Sequence, residues 1–336
     1  MSAPAASGQA QQTPSALAQF LGQSIGLDAA QLALVERDEA VVKVLETPNK
    51  RDVAIFGIVT ANASRDAYVR RLRDFRQSLR SPSRTRFGIF SDPAGAADVQ
   101  AVTLDRDDAQ DLKKCEAGKC DFKLPATEMQ RIRNRIDWSN GDQQAQVTAY
   151  ARQRLVEYAN DYRLRGDAAM VVYDDRGNVR ASDAFAELLA QSPYVYKYAP
   201  SLARYLSDYP RGRLEGVSDA LFWSETAAPR MRRTLTVTHL AVYSPPELPG
   251  TTLAAAKQIY ANHYFEAAFD LTTIVDRPKA DGSTGVYLIV LRRFRFDNLP
   301  SGGLLNIRGK VVASLRDQML ADLAREKAAA ETISSR

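Results

Sequence analysis

Three stretches in the last hundred residues alternate between apolar and polar positions, with the period of two that is typical of β-strands. They cover residues 233–243, 257–275 and 286–296. Proline-rich residues separate the first two stretches, and an Asp–Gly pair at 281–282 separates the second from the third. Because consecutive strands joined by turns pair antiparallel, this pattern predicts an antiparallel sheet.

A helical pattern follows the third stretch, over residues 304–323. Its apolar positions recur every three to four residues and form one stripe, made of Val311, Leu315, Met319 and Leu323. A helix with such a stripe must bury it, and the predicted sheet offers the nearest apolar surface. The end of the chain is therefore predicted to be a sheet packed against a long C-terminal helix.

The earlier part of the chain mixes strands and helices. Residues 40–45 and 53–59 are β-rich and flank a Pro-Asn turn, which predicts a hairpin. Next come one predicted helix and two short predicted strands, at 64–79, 86–90 and 99–104. The pattern is then mainly helical up to about residue 210.

These elements predict an α+β fold in which a curved antiparallel sheet packs on a long C-terminal helix. We expect a single domain over residues 15–330, with a mainly helical insertion at about 105–210. Residues 1–14 and 331–336 are small or polar and are predicted to be disordered tails.

The order of elements resembles the helix-grip architecture of START-like lipid-binding and polyketide-cyclase-like domains. In that superfamily the curved sheet grips the last helix, and a ligand cavity lies between them. The resemblance is in topology and covers roughly residues 39–62 and 219–325, with the large helical insertion as a departure. It implies an apolar ligand that the protein binds and carries or senses. No residue-level signature can be matched, so no functional residue is carried over.

His239 and His263 are the two histidines of the chain, and alternation places both on the apolar faces of their predicted strands. If these strands pair about a turn near residue 250, the two side chains lie one diagonal step apart. They could orient a polar group of a ligand or act as acid and base. Alternatively, they are core histidines bonded to Tyr243 or to the backbone. The aromatic residues Tyr243, Phe265 and Phe269 share these faces.

Arg293 and Arg295 end the third predicted strand, on the face that also carries Tyr287. An inward arginine at a cavity mouth could bind the carboxylate or phosphate of a ligand, whereas a rim of exposed arginine is the plain alternative. The Tyr-rich segment 194–209 could line a binding site or pack the insertion against the sheet. The candidate ligand site thus comprises His239, His263, Tyr243, Phe265, Phe269, Tyr287, Arg293 and Arg295.

Composition and motifs exclude several classes of function. The 336 residues are 45% hydrophobic and 25% charged, as in globular proteins. The net charge of +5 is scattered, and no basic stripe interleaved with aromatics indicates a nucleic-acid partner. No apolar run approaches a membrane span. Because there is no dinucleotide fingerprint, Walker loop or third metal ligand beside the histidines, we expect no cofactor and no metal. The oligomeric state stays open.

Cys115 and Cys120 are the two cysteines, in the sequence Cys-Glu-Ala-Gly-Lys-Cys. The intervening turn could bring the sulfurs together as a local disulfide, which would indicate an oxidising compartment. The small, polar start of the chain resembles a mature end left by a signal peptide, or a plain cytoplasmic tail. With a composition rich in Ala and Arg, we expect a bacterial protein that is periplasmic or exported, with the cytoplasm as the alternative.

Three functions fit these observations. The first is non-catalytic binding, as a carrier or sensor, of a lipid-like or other apolar small molecule in a cavity between the C-terminal sheet and helix. The second is a cyclase- or hydrolase-like enzyme that uses His239 and His263. The third is a structural or interaction protein whose cavity is filled by its own side chains.

Overall fold

The computed structural model describes residues 17–139, 141–227, 232–279, 282–300 and 306–334. The tail predicted at residues 1–14 lies outside these ranges. Within them the chain is an α+β protein built on one large antiparallel sheet, with a C-terminal helix and a helical insertion. The predicted fold class is therefore confirmed.

Eight of the ten strands in these ranges form the large sheet. In chain order the strands are β1 (Val41–Leu45), β2 (Asp52–Ala61), β3 (Arg84–Ile89), β4 (Val172–Tyr173), β5 (Val179–Arg180), β6 (Ser218–Thr226), β7 (Thr234–Tyr243), β8 (Thr251–Ala261), β9 (Phe265–Pro278) and β10 (Thr284–Phe296). The spatial order is β1-β2-β10-β9-β8-β7-β6-β3, and all neighbours are antiparallel. Strands β4 and β5 pair separately inside the insertion.

Ten α-helices accompany the strands in the described part of the chain. They are α1 (Ala29–Glu36), α2 (Arg65–Arg73), α3 (Phe75–Ser78), α4 (Arg106–Lys114), α5 (Ala126–Arg135), α6 (Gln143–Arg165), α7 (Ala181–Ala190), α8 (Pro193–Tyr198), α9 (Pro200–Asp208) and α10 (Ile307–Ser334). Helices α4–α9 make up the insertion. Helix α10 runs beyond the predicted end at 323 and into the predicted tail at 331–336.

The single long strand predicted over 257–275 is wrong. The structure divides it into β8 and β9, joined by a turn at residues 262–264 in which Tyr264 has a φ of 63°. The side chain of Asn262 accepts a hydrogen bond from the Leu235 amide at 2.8 Å and ties this turn to β7. The turn escaped prediction because His263 continues the apolar alternation of both flanking strands, and neither Gly nor Pro marks the break.

Two further predictions are corrected. The strand predicted at 99–104 is absent from the described residues, where a 3₁₀ turn covers Ala96–Val99. The helix predicted at 64–79 is broken at Asp74, whose carboxylate accepts a hydrogen bond from the Gln77 amide at 3.2 Å and caps the short α3.

Helix α10 packs against β1 and β2 on one face of the sheet. Met319 and Leu323 of its predicted stripe are 0% and 1% exposed. Their side chains sit over Gly57 of β2, where an added Cβ would lie 2.9 Å from both Leu323 Cδ1 and Met319 Cγ. Glycine therefore lets α10 approach this closely without displacing either side chain, and Met319 and Leu323 pack into the interface between sheet and helix.

The insertion covers the opposite face of the sheet. Phe185 of α7 packs edge-on against Phe269 of β9, with ring centroids 5.9 Å apart, and Leu202 and Leu206 of α9 are fully buried. Ten of the eleven positions in β8, in the middle of this sheet, are buried. Central strands of this kind show long apolar runs, whereas strands with one wet face alternate.

Cys115 and Cys120 form a disulfide. Both are buried in a small separate core of the insertion, which also contains Leu112, Phe122 and Ile132. The predicted disulfide is confirmed. The compartment stays a prediction, with which the disulfide is compatible.

Candidate functional site

An apolar cavity of about 120 Å³ lies between the insertion-facing side of the sheet and two helical segments, residues 17–25 and α8. Fourteen of its sixteen lining residues are apolar or aromatic and two are threonines: Leu17, Phe20, Ile25, Phe56, Tyr194, Val195, Tyr198, Ala199, Leu248, Thr251, Leu253, Leu271, Thr273, Val275, Ile289 and Leu291. Such a surface favours contact with an apolar group.

Aromatic rings form one wall of this cavity. Phe20 belongs to a π-helical turn, Phe20–Ser24, and its ring centroid lies 5.3 Å from that of Tyr194 and 6.2 Å from that of Tyr198. The two tyrosines come from α8, which begins at Pro193, a residue pre-organised for the first turn of a helix. The Tyr-rich segment thus lines a cavity, which is the first of the two roles predicted for it.

The cavity is not where the resemblance placed it. We predicted a site between the sheet and the C-terminal helix, but Met319 and Leu323 fill that interface. Successive residues of a strand point to opposite faces, so Ile55 of β2 faces α10 whereas its neighbour Phe56 faces the cavity. The apolar cavity therefore lies on the face of the sheet opposite α10, under the insertion and the segment 17–25.

None of the eight residues of the predicted ligand site lines the apolar cavity. Tyr287 lies two residues before Ile289, a lining residue on the same face of β10. The Tyr287 hydroxyl donates a hydrogen bond to Glu36 Oε1 at 2.9 Å instead of facing the cavity. Its ring lies under the Arg277 guanidinium, 5.6 Å from the centroid. Tyr243 lines a second cavity, which is polar.

Phe265 and Phe269 were predicted on one face but lie on opposite faces. Phe269 belongs to the core under the insertion, whereas Phe265 packs against Phe296 beneath α10, with ring centroids 4.9 Å apart. The register of β9 and β10 shifts between Arg295 and Phe296. Such a bulge leaves one residue of β9 without a cross-strand partner and reverses the alternation beyond it.

Arg293 and Arg295 are both 4% exposed and bind groups of the protein. Arg293 donates to the Ser192 hydroxyl at 2.8 Å and to the Gln191 carbonyl at 2.7 Å. Arg295 holds the fully buried Asp52 in a bidentate pair at 2.8 and 2.9 Å. These guanidinium groups join β10 to β2 and to the end of α7, so neither is free to meet a ligand.

His239 lies in a buried polar cluster under α6 and α9. Its Nε2 is 3.2 Å from Asp219 Oδ2, and its Nδ1 is 3.1 Å from the Tyr162 hydroxyl. Asp219 also accepts a hydrogen bond from Tyr205 at 2.7 Å, and the Tyr209 ring packs 4.4 Å from the imidazole. A neutral imidazole protonated at Nε2 satisfies both contacts, donating to the carboxylate and accepting from the phenol.

Burial lowers the pKa of His239 below its ordinary value, and the nearby Asp219 only partly opposes this effect. The hydrogen bond from His239 in turn lowers the pKa of the Asp219 carboxyl. Since the folded pKa of His239 lies below the unfolded value of about 6.5, the unfolded chain takes up this proton first on acidification. The contribution to stability is therefore complete above about pH 6.5 and declines below it.

We predict that the free energy of unfolding falls below pH 6.5 with a slope of up to about 1.4 kcal/mol per pH unit from this histidine. Urea unfolding of the wild type and of His239→Gln between pH 7.5 and 5.5 measures it. The variant should be less stable at pH 7.5 but should show a flatter pH profile. Parallel profiles for the two proteins would contradict the prediction.

His263 is placed elsewhere, in the turn between β8 and β9. Its Nε2 lies 3.0 Å from Asp108 Oδ1 and its Nδ1 lies 2.8 Å from the Asp121 carbonyl oxygen, so it anchors the insertion to the turn. Its counterpart His239 pairs across strands with Lys257. That position is six residues before His263, or roughly 15–20 Å along the strand. The structure does not bring the two histidines to one site.

The remaining sequence-based expectations concern membranes and metals. No helix among the described residues is long and apolar enough to cross a membrane. Nor does any group of three or more His, Cys, Asp or Glu side chains in those ranges offer a metal site.

Comparisons with known proteins complete the description of the site. No protein-family model matches the chain, and no curated protein sequence matches it. Among solved structures, it is similar to the di-domain aromatase/cyclase StfQ from the steffimycin biosynthetic pathway, with 17% identity and a TM-score of 0.23. That match covers 58% of this chain and 63% of StfQ, so this chain spans less than two thirds of the StfQ structure.

Two further structures are similar over less of the chain. Zhui aromatase/cyclase from Streptomyces sp. R1128 shares 12% identity with a TM-score of 0.19, over 46% of this chain and 83% of Zhui. Ara h 8.0201 shares 10% identity with a TM-score of 0.19, over 45% of this chain and 91% of its own. At these scores the similarities carry no argument about function, which has to come from the site itself.

Proposed function

We propose that this protein binds a small apolar molecule in the apolar cavity under the insertion. The observation that carries this proposal is the cavity itself, about 120 Å³ of space walled by aliphatic and aromatic side chains. An apolar group that enters this space removes its own surface and that of the lining side chains from water. This burial stabilises the complex by about 25 cal/mol per Å² of apolar area.

The volume limits the size of the ligand. Cavities of about 150 Å³ lined by aliphatic and aromatic residues bind benzene, whereas drug-sized ligands need about 300–1,000 Å³. A single ring or a short alkyl chain therefore fits better than a whole membrane lipid. The proposed ligand is therefore smaller than many of the lipid-like molecules that the sequence analysis allowed.

A substitution that fills the cavity tests the proposal. Ile289 lines it, and Ile289→Phe adds a ring at the wall. Toluene should raise the melting temperature of the wild type, because a ligand that binds only the folded state stabilises it by about 1.4 kcal/mol at ten times its Kd. The shift should disappear in Ile289→Phe. The control Ile307→Phe makes the same change at a residue that is 40% exposed and should keep the shift.

Native mass spectrometry of protein from its own host provides an independent test. We expect a small apolar molecule to co-purify with the wild type and to be missing from Ile289→Phe. If toluene leaves the melting temperature unchanged and no small molecule co-purifies, the binding proposal is wrong and the protein is better described as a structural or interaction protein.

The enzyme hypothesis has less support from the geometry. An acid–base pair made of His239 and His263 has to share one pocket wall, and the two side chains have no hydrogen-bond partner in common. We therefore propose binding without catalysis.

A further inference from the structure

A second cavity, of about 390 Å³, lies beside the apolar one. It is lined by α9, by the loop that follows α9, and by the turn between β7 and β8, and it is open to solvent. Its lining is mainly polar and includes Ser201, Arg204, Tyr205, Arg213, Glu215 and Tyr243. It is larger than the apolar cavity and within the usual range for a small-molecule site.

Positive charge predominates at this polar cavity. The side chains of Arg204 and Arg213 are exposed, and neither makes an ion pair or a hydrogen bond within the described ranges of the chain. Arg293 and Arg295, in contrast, are fully engaged with groups of the protein. Glu215 supplies one negative charge, which leaves a net charge of about +1 on the lining residues. Two guanidinium groups are suited to a carboxylate or phosphate.

One layer of residues separates the two cavities. Leu253 lines the apolar cavity, and its cross-strand partner Tyr243 lines the polar one. In α9 and the residue before it, Ala199 lines the first cavity and Ser201 the second. Neighbouring strands lie about 4.8 Å apart, so the backbone positions that carry Leu253 and Tyr243 are one strand spacing apart. A ligand that occupies both cavities has to cross this layer with its spacer.

Resting on the binding function proposed above, we propose that the ligand is amphipathic: an apolar ring or short chain in the apolar cavity, joined by a short spacer to an anionic group that Arg204 and Arg213 bind. A carboxylate and a phosphate share the required chemistry, a planar or tetrahedral array of oxygen acceptors with negative charge. The apolar part contributes affinity through burial, and the arginine pair contributes selectivity for the acid over neutral analogues.

Binding of 4-phenylbutyrate and of the neutral 4-phenyl-1-butanol to the full chain, measured by calorimetry, tests this inference. The two probes share the ring and spacer and differ in the charged group. We expect the wild type to bind the acid about tenfold more tightly or better, and this preference to shrink as salt is raised. The double variant Arg204→Gln/Arg213→Gln should lose the preference. Phenylbutyl phosphate in the same assay distinguishes phosphate from carboxylate recognition.

Arg211→Gln is the matched control, because Arg211 is exposed in the same loop but lines neither cavity. It should keep the preference for the acid. Far-UV circular dichroism and melting temperatures establish that each variant folds, as expected for exposed positions.

The outcomes separate this inference from the binding function on which it rests. Equal affinity of the wild type for the acid and the alcohol overturns the anionic subsite but leaves the apolar site intact. Binding of toluene without binding of either phenylbutyl probe likewise overturns the anionic subsite and leaves the apolar site intact. If Ile289→Phe leaves the affinity for 4-phenylbutyrate unchanged, the acid binds in the polar cavity alone, and the amphipathic ligand is wrong. Failure of toluene and both phenylbutyl probes overturns both proposals.

Discussion

Replacing Arg295 by methionine is expected to lower the free energy of unfolding by about 3–5 kcal/mol. Arg295 is 4% exposed and Asp52 is 0% exposed, and their bidentate contact joins β10 to the start of β2. Methionine preserves much of the volume but leaves the Asp52 carboxylate buried without its cation. The loss of a buried partner is far more damaging than the net stabilisation contributed by an intact pair.

Urea unfolding of the wild type and Arg295→Met measures this loss. Arg295 also contacts Glu187, whose side chain is 65% exposed, so Glu187→Gln serves as the control and should change stability by less than about 1 kcal/mol. The double variant Asp52→Leu/Arg295→Met should recover part of the loss, because it removes both charges. A loss below about 1 kcal/mol in Arg295→Met would show that water reaches Asp52.

Replacing Leu323 by alanine is expected to lower the free energy of unfolding by about 2–5 kcal/mol. Leu323 is 1% exposed and lies over Gly57, where α10 approaches the sheet most closely in the contacts described above. The substitution removes the hydrophobic contribution of the side chain and leaves a void that a packed interface closes only in part.

Chemical unfolding of Leu323→Ala, compared with Leu164→Ala, checks this expectation. Leu164 is a helical leucine that is 78% exposed, so its replacement should change stability by no more than about 0.5 kcal/mol. The experiment also tests the position of the ligand cavity. If Leu323→Ala cost less than about 1 kcal/mol, the interface between sheet and helix would tolerate empty space, as expected of the site that the helix-grip resemblance implies.

Residue patterns were sufficient for the elements that bury one clear face. The C-terminal stripe containing Met319 and Leu323 indicated both the helix and its burial, and the alternation in 233–243 and 286–296 indicated strands. The pattern failed at His263, because an aromatic residue in a tight turn keeps the period of the flanking strands. It also failed at Phe265, where a bulge reverses the alternation.

The site was harder to predict because it depends on partners that are remote in sequence. An arginine at position 295 looks the same in the sequence whether it binds a ligand or Asp52. Asp52 is 243 positions away, so no local pattern indicates that the two residues pair. The apolar cavity combines the segment at 17–25 with α8 and with four strands, β2, β8, β9 and β10. Its clearest sequence signal was the cluster of tyrosines beginning at Tyr194, which indicated a binding surface or a packing surface equally well.

The pairing of β2 with β10 has a consequence for the growing chain. Ala61 of β2 pairs with Val286 of β10, so about 225 residues are synthesised between them. At about 5–20 residues per second, one edge of the β1–β2 hairpin waits about 10–45 s on the ribosome for its partner. All ten residues of β2 are buried in the finished sheet, so during this time an apolar strand edge is open to pairing with other chains. Production in the cell is therefore expected to depend on chaperones that shield this edge during translation.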